Sequence, residues 1–438
     1  MDNKDSLKAQ LISDFQAIEG RMNGEAKSPV HQVRKEALKT FETLGFPTIK
    51  HEEWKYSNVK NLINQAFEFN APSDFSAQDV ADSSIPNLEG NILYFVNGVY
   101  NAELSSIVSP SSELQILTFA DAVKQEPALV EQYFNKYSDS ASNAFTALNT
   151  AFAHNGIFVH VPANKIVEQP VILRFIADAR NVNVASQPRN LIVVGKRSQV
   201  QIAEAYRSLG DNSSFTNAVT EFVVEEEANV HYYKVQNESD KAYHIGTTSV
   251  LQAGKSVFTA NTVTANGGFV RNNLNIKIDG EYAEANMFGL YIPNKKQHID
   301  NHTVVDHAKP NSESHELYKG ILKDNSVGVF NGKIFVRQDA QKTNAFQSCK
   351  NVLMSENASM NTKPQLEIWA DDVKCSHGTT TGQLNEDALF YMQARGISKD
   401  SARALLMLAF AQEVIDKMQI PAIKEYLQEL IIDKIYQG

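Results

Sequence analysis

Apolar positions recur at different periods along the chain and divide it into three textures. In residues 1–145, Leu7, Leu11, Phe15 and Ile18 fall at helical spacing, and Val33, Leu38 and Phe41 follow it less strictly. Ser28-Pro29-Val30 predicts a helix start with proline just inside it. Ile92-Leu93-Tyr94-Phe95-Val96, then Asn97-Gly98, predicts a strand running into a turn. From 146 to 384 the pattern changes to short β runs, such as Gly156–Val161, Asn190–Val194 and Phe222–Val224, with no long helical stripe. Small or polar corner residues precede a fresh strand repeatedly: Arg197-Ser198-Gln199-Val200, Glu227-Ala228-Asn229-Val230, Gly254-Lys255-Ser256-Val257, Glu284-Ala285-Asn286-Met287, Asp324-Asn325-Ser326-Val327 and Glu356-Asn357-Ala358-Ser359. Residues 385–438 are helical again. Asn385 caps a first helix that stops at Arg395-Gly396, Ser398 opens a second, and Pro421 starts a third.

The predicted fold is mainly β: a β-helix core over 146–384, a mixed and largely helical N-terminal domain over 1–145, and a helical C-terminal region over 385–438. Corner residues at irregular but coil-like intervals suggest stacked coils, whose stacking buries a continuous core. A β-sandwich is the alternative on pattern alone, but it calls for more hairpin turns, and Asn331-Gly332 is one of few candidates. On the second C-terminal helix, Leu405, Leu406, Met407, Leu408 and Phe410 run nearly all the way round, so that helix needs cover on more than one side.

Composition narrows the function classes. With 41 basic and 51 acidic residues the net charge is −10, which disfavours nucleic-acid binding through bulk charge. No stretch approaches the roughly 20 apolar residues of a membrane span. The start, Met1–Ser6, lacks a basic n-region, so the expected compartment is the cytoplasm. Two cysteines, Cys349 and Cys375, match a reducing compartment and cannot supply the four thiolates of a complete iron–sulfur site.

The sharpest candidate chemistry is Asp371-Asp372-Val373-Lys374-Cys375-Ser376-His377. In a strand, Cys375 and His377 project to one side, their Cα atoms roughly 6.6 Å apart. Thiolate with imidazole suits zinc, iron or copper, yet two ligands fall short of the three or four such a site takes. Asp371 and Asp372, adjacent in the apparent strand, point to opposite faces, which defeats a paired acid–base role. His298, His302, Asp306, His307 and His315 sit among Pro293, Asn294, Asn301 and Pro310, which predicts surface or turn histidines. No P-loop, dinucleotide fingerprint or H-E-x-x-H occurs, and Gly328–Lys333 is one spacer short of a P-loop. A β-helix carbohydrate-active enzyme is the competing class; a structural homodimer of β-helices is the third.

At these residues the chain resembles the SufD family of the SUF iron–sulfur cluster assembly system. The resemblance is carried by Leu366–Gly378, His315-Glu316-Leu317-Tyr318-Lys319-Gly320-Ile321, Val329–Ile334, Ala340–Asn344, Leu389-Phe390-Tyr391, Arg395-Gly396-Ile397 and Glu53-Trp54-Lys55-Tyr56. It implies a right-handed parallel β-helix flanked by helices and a non-enzymatic scaffold paired with the paralogue SufB. It also implies an ATPase partner, SufC, docked on the C-terminal helices, so that no nucleotide is bound by this chain. Cys375 and His377 match family residues near the SufB interface, linked to iron or a nascent cluster shared with SufB. SufB-type chains are the nearest competitor; their corresponding motif reads glutamate-His-glutamate, with further cysteines. Thr379 departs from a frequent alanine, and Cys349 falls where the family implies no ligand.

Overall fold

Left-handed corners set the architecture. In the computed structural model, which describes residues 6–22 and 28–436, Arg197, Glu227, Lys255, Tyr282, Asn311 and Lys342 all have positive φ. Each turns the chain from a strand of one sheet into a strand of the other. Non-glycine residues resist this conformation. Coil-to-coil hydrogen bonds stabilise it: Arg197 N–H donates to Glu226 O at 3.0 Å, Glu227 to Gly254 O at 3.0 Å and Lys255 to Glu281 O at 2.8 Å. A small buried residue follows each corner: Ser198, Ala228, Ser256, Ala283, Ser312 and Thr343. Met1–Asp5, which include most of the segment read above as lacking an n-region, lie outside the described residues.

Successive strands therefore alternate between two sheets, and within each sheet they stack in parallel. Asn229 stands beside Gln199 on one side and Val257 on the other, giving coils of about 30 residues. This is a parallel β-solenoid, and it excludes the sandwich, whose sheets would be antiparallel. Antiparallel pairing occurs near the start, where Asn91–Val96 and Val99–Ser106 form a hairpin through Asn97 and Gly98, both at positive φ, and where Gln115–Thr118 pairs with Ile157–Val161. Strand Asn91–Val96 also pairs in parallel with Val171–Asp178, tying the N-terminal region into the solenoid.

Side chains alternate between the interior and the two outer faces. Inside lie Val200, Ile202, Phe222, Tyr232, Phe258, Val270, Ile276 and Met287. The interior also holds polar groups: Glu204 accepts from Asn190 (3.1 Å), Tyr206 (2.9 Å) and Tyr232 (2.7 Å). Helix Pro29–Leu44, capped by Ser28, and helix Ala144–Ala151 are part of the layer over one outer face. Helices Glu386–Ala394, Lys399–Ile415 and Pro421–Tyr436 form the C-terminal end of the chain, and the last two cover the other face, where Met407, Val414 and Leu427 meet Tyr233, Val263 and Ile321. Lys319, buried in that seam, donates to Phe410 O at 2.9 Å and pairs with Glu413.

Two expectations fail here. His298–His307 is a central strand paired on both sides, so its histidines are not turn residues. Pro293 and Pro310 fall in the corners that bound it. His307 faces the interior, bonded to Ser314 Oγ at 2.9 Å, and burial pushes its pKa down to about 4. His302 is buried on the outer face, whereas His315 is only partly buried and stacks on Phe346. Asn331-Gly332 is not a turn but the middle of strand Val327–Val336. Glycine leaves room there for the Gln347 side chain, since a Cβ would lie 2.1 Å from Gln347 Nε2 and 2.8 Å from the Phe330 ring.

Candidate functional site at the open end of the solenoid

The last coil has no successor. Strand Val373–Gly382 pairs only with Thr343–Leu353, and Ser359–Ile368 only with Val327–Val336, so both sheets end in an unpaired edge among the described residues. Parallel sheets are normally covered, and a bare edge offers a row of free N–H and C=O groups to another chain.

Cys375 and His377 stand on this terminal strand, beside Ala345 and Gln347 of the preceding coil. The alternation of the strand turns both to the same face. Cys375 is half-buried and packs against the end of the core around Ile334, Ala345 and Ala370, whereas His377 is exposed. Burial raises the Cys375 thiol above its ordinary range, with a backbone hydrogen bond from Ala345 opposing the rise. As a metal ligand it would have to lose that proton. Asp371 and Asp372 do not share the strand; they form the exposed bend before it, where Asp372 O accepts from Lys342 N at 2.6 Å.

Among the described residues, no group of three or more His, Cys, Asp or Glu side chains is placed to hold a metal ion. Cys375 and His377 thus present one thiol and one imidazole on an open edge, and a metal held there would need ligands from elsewhere. Cys349 is fully buried, and its thiol is pushed up to about 11 by burial. It touches Tyr291 Oη (3.8 Å) and Asn351 Nδ2 (3.4 Å), as a packing residue would.

Sequence reasoning missed what lies beneath the pair. Register places Glu316 beside Gln347, and Gln347 beside His377, in one inward column. Gln347 Nε2 donates to Glu316 Oε2 at 2.7 Å. Burial pushes the Glu316 carboxyl up to about 7, with Thr303 and Gln347 opposing the rise. Thr303 lies close enough for that, although its hydroxyl makes no well-formed hydrogen bond. The sequence signal was a charged residue in the strand segment His315–Ile321, informative only once the coil length is known.

A second cluster joins the N-terminal region to the outer face. Arg271 lies over the Trp54 ring at 4.0 Å and donates to Glu53 O (2.6 Å) and Asp300 (2.9 Å). His302 sits between Glu53 (3.3 Å) and Asp300 (2.9 Å). The hydrogen bond from His302 holds the Glu53 carboxyl down to about 2 against the effect of burial. These charges satisfy one another, so the cluster acts as a clamp between two parts of the fold.

Residues 175–410 match the model of the SufBD core domain of the SUF system for FeS cluster assembly, and residues 5–173 match that of the SufBD protein N-terminal region. An iron–sulfur cluster assembly SufBD family protein of Synechocystis is 30% identical over 436 residues, covering 97% of this chain and 96% of the relative. The iron–sulfur cluster assembly protein SufD of Escherichia coli is 29% identical over 418 residues, 95% of each chain. The SufD protein of Bacillus subtilis is 26% identical over 419 residues, 92% of this chain and 93% of the relative. With both family models matched in order along a β-solenoid, the chain belongs to the SufBD family of iron–sulfur cluster assembly proteins.

Proposed function

We propose that this chain is a non-enzymatic scaffold of a cytoplasmic SUF assembly complex, pairing end-on with SufB and carrying the SufC ATPase on its C-terminal helices. The observation that carries the reading is the open coil: two unpaired strand edges with Cys375 and His377 beside them. A paralogous solenoid docked there would continue both sheets and bring further ligands to the half-site. Iron or a nascent cluster would then be held between the two chains rather than by either alone. The ATPase reading is supported by the C-terminal helices, where Phe390 is 74% exposed, Tyr391 60% and Leu405 45%. Large side chains left this exposed are ones that a partner protein would cover.

The test is co-expression with SufB and SufC, using the unmodified chain, Cys375→Ala and His377→Ala, with iron and sulfide measured anaerobically on the purified complex. The expected result is normal assembly with cluster content reduced at least severalfold. Unchanged cluster content in both variants would remove the half-site and leave the chain an architectural role only.

A further inference from the structure

The C-terminal helices do not seal against the solenoid along their whole length. Between the first turns of helix Lys399–Ile415, the last turn of helix Pro421–Tyr436 and the strand ends near Ile292, Ile321 and Met354 lies a cavity of about 420 Å³. That volume falls within the range of small-molecule sites. Its floor is apolar, with Ile292, Ile321 and Met407 buried and Met354 packed against the same cluster.

The rim has the opposite character. Lys323, Arg403 and Lys434 converge there with one carboxylate, the exposed Asp400. In a chain of net charge −10, three cations to one anion reverse the background. Among the described residues the Lys323 and Arg403 side chains make no ion pair and no hydrogen bond. Lys434 is buried and bonded to neutral oxygens: Ala265 O, Asn266 Oδ1 (2.6 Å) and Gln297 Oε1 (3.1 Å). The rim also holds Asn294, whose buried Oδ1 has no hydrogen-bond partner. Burial pushes the Lys434 ammonium down to about 7, with Asp240 opposing that fall and Lys295 adding to it. A nearby anion would reverse the shift.

Unpaired cations above an apolar floor are complementary to one kind of ligand. We propose that this cavity binds an amphipathic organic anion, its apolar body on Ile321, Met354 and Met407 and its carboxylate or phosphate head between Lys323 and Arg403. The site is separate from Cys375 and His377 and does not depend on the cluster reading.

The test titrates the full chain with three matched fluorescent probes: 1-naphthoate, 1-naphthyl phosphate and 1-naphthylmethylamine. The two anions should bind saturably and the amine should not, and the tighter of the two anions identifies the preferred head group. Lys323→Gln with Arg403→Gln should weaken anion binding by at least about tenfold, the worth of one charged hydrogen bond. Both side chains are partly exposed and unpaired, so the variant should melt like the unmodified chain. Binding of the amine as tight as that of the anions, affinity unchanged in the variant, or no saturable binding up to about 1 mM would each overturn the proposal.

Discussion

Glu316→Gln tests the buried column beneath the open end. Among the described residues the carboxyl has no cationic partner: it accepts from Gln347, faces Thr303, and has Tyr318 and Cys349 as the titratable groups beside it. Burial raises it from 4.5 to about 7. The folded chain thus holds this proton more tightly than the unfolded chain. Its contribution to stability is complete below about pH 4.5, falls as pH rises towards 7, and is flat above. Two to three pKa units correspond to about 3 kcal/mol lost across that window. The unfolding entropy of 438 residues is about 0.9 kcal/mol/K, so the loss is worth about 3 °C if the chain melts as one unit. Glutamine keeps an acceptor for Gln347 but does not titrate. Melting temperatures of the two proteins, measured from pH 4.5 to 8.5, should diverge in favour of the variant as pH rises. Parallel curves would refute the reasoning, because they would mean that Glu316 is solvated or paired in the folded chain.

Further outcomes follow from packing. Gly332→Ala brings a Cβ against Gln347 and the Phe330 ring, and should cost about 1–3 kcal/mol in urea unfolding. Arg189→Met leaves Glu221, its fully buried partner, without a cation; a loss of about 3–5 kcal/mol is expected by the same measurement. With a disulfide reagent at pH 8 the native chain should titrate one thiol, the half-buried Cys375, while Cys349 reacts only on unfolding. Equal reaction rates for the two would contradict the burial described above.

The periods of the chain revealed the solenoid because corner chemistry is local. Arg197, Glu227, Lys255 and Asp324 all lie at positive φ inside the quartets read as corners. The quartet at Glu284 is displaced: the corner is at Tyr282, a residue that sequence reasoning does not associate with turns, and Glu284 already begins a strand. The shared face of Cys375 and His377 was legible from two-residue alternation alone. Glu316 and Gln347 were not, since they meet only because a coil of about 30 residues closes between them. The histidines were misread for a related reason. Prolines and asparagines bound His298–His307, but pairing on both sides decides that it is a central strand, and that pairing is remote in sequence.

Because the solenoid strands stack in parallel, each paired with strands of the neighbouring coils, stability in this fold accumulates largely along one dimension. The interior coils are held from both sides, and the coil bearing Cys375 and His377 from one. Opening of the terminal coil therefore costs less than opening of any interior one, and its amides should exchange with deuterium first among the strands. A protein docked on that edge would slow the exchange most at Val373–Gly382 and progressively less inward, so the depth of protection would report how far along the solenoid the partner's grip is felt.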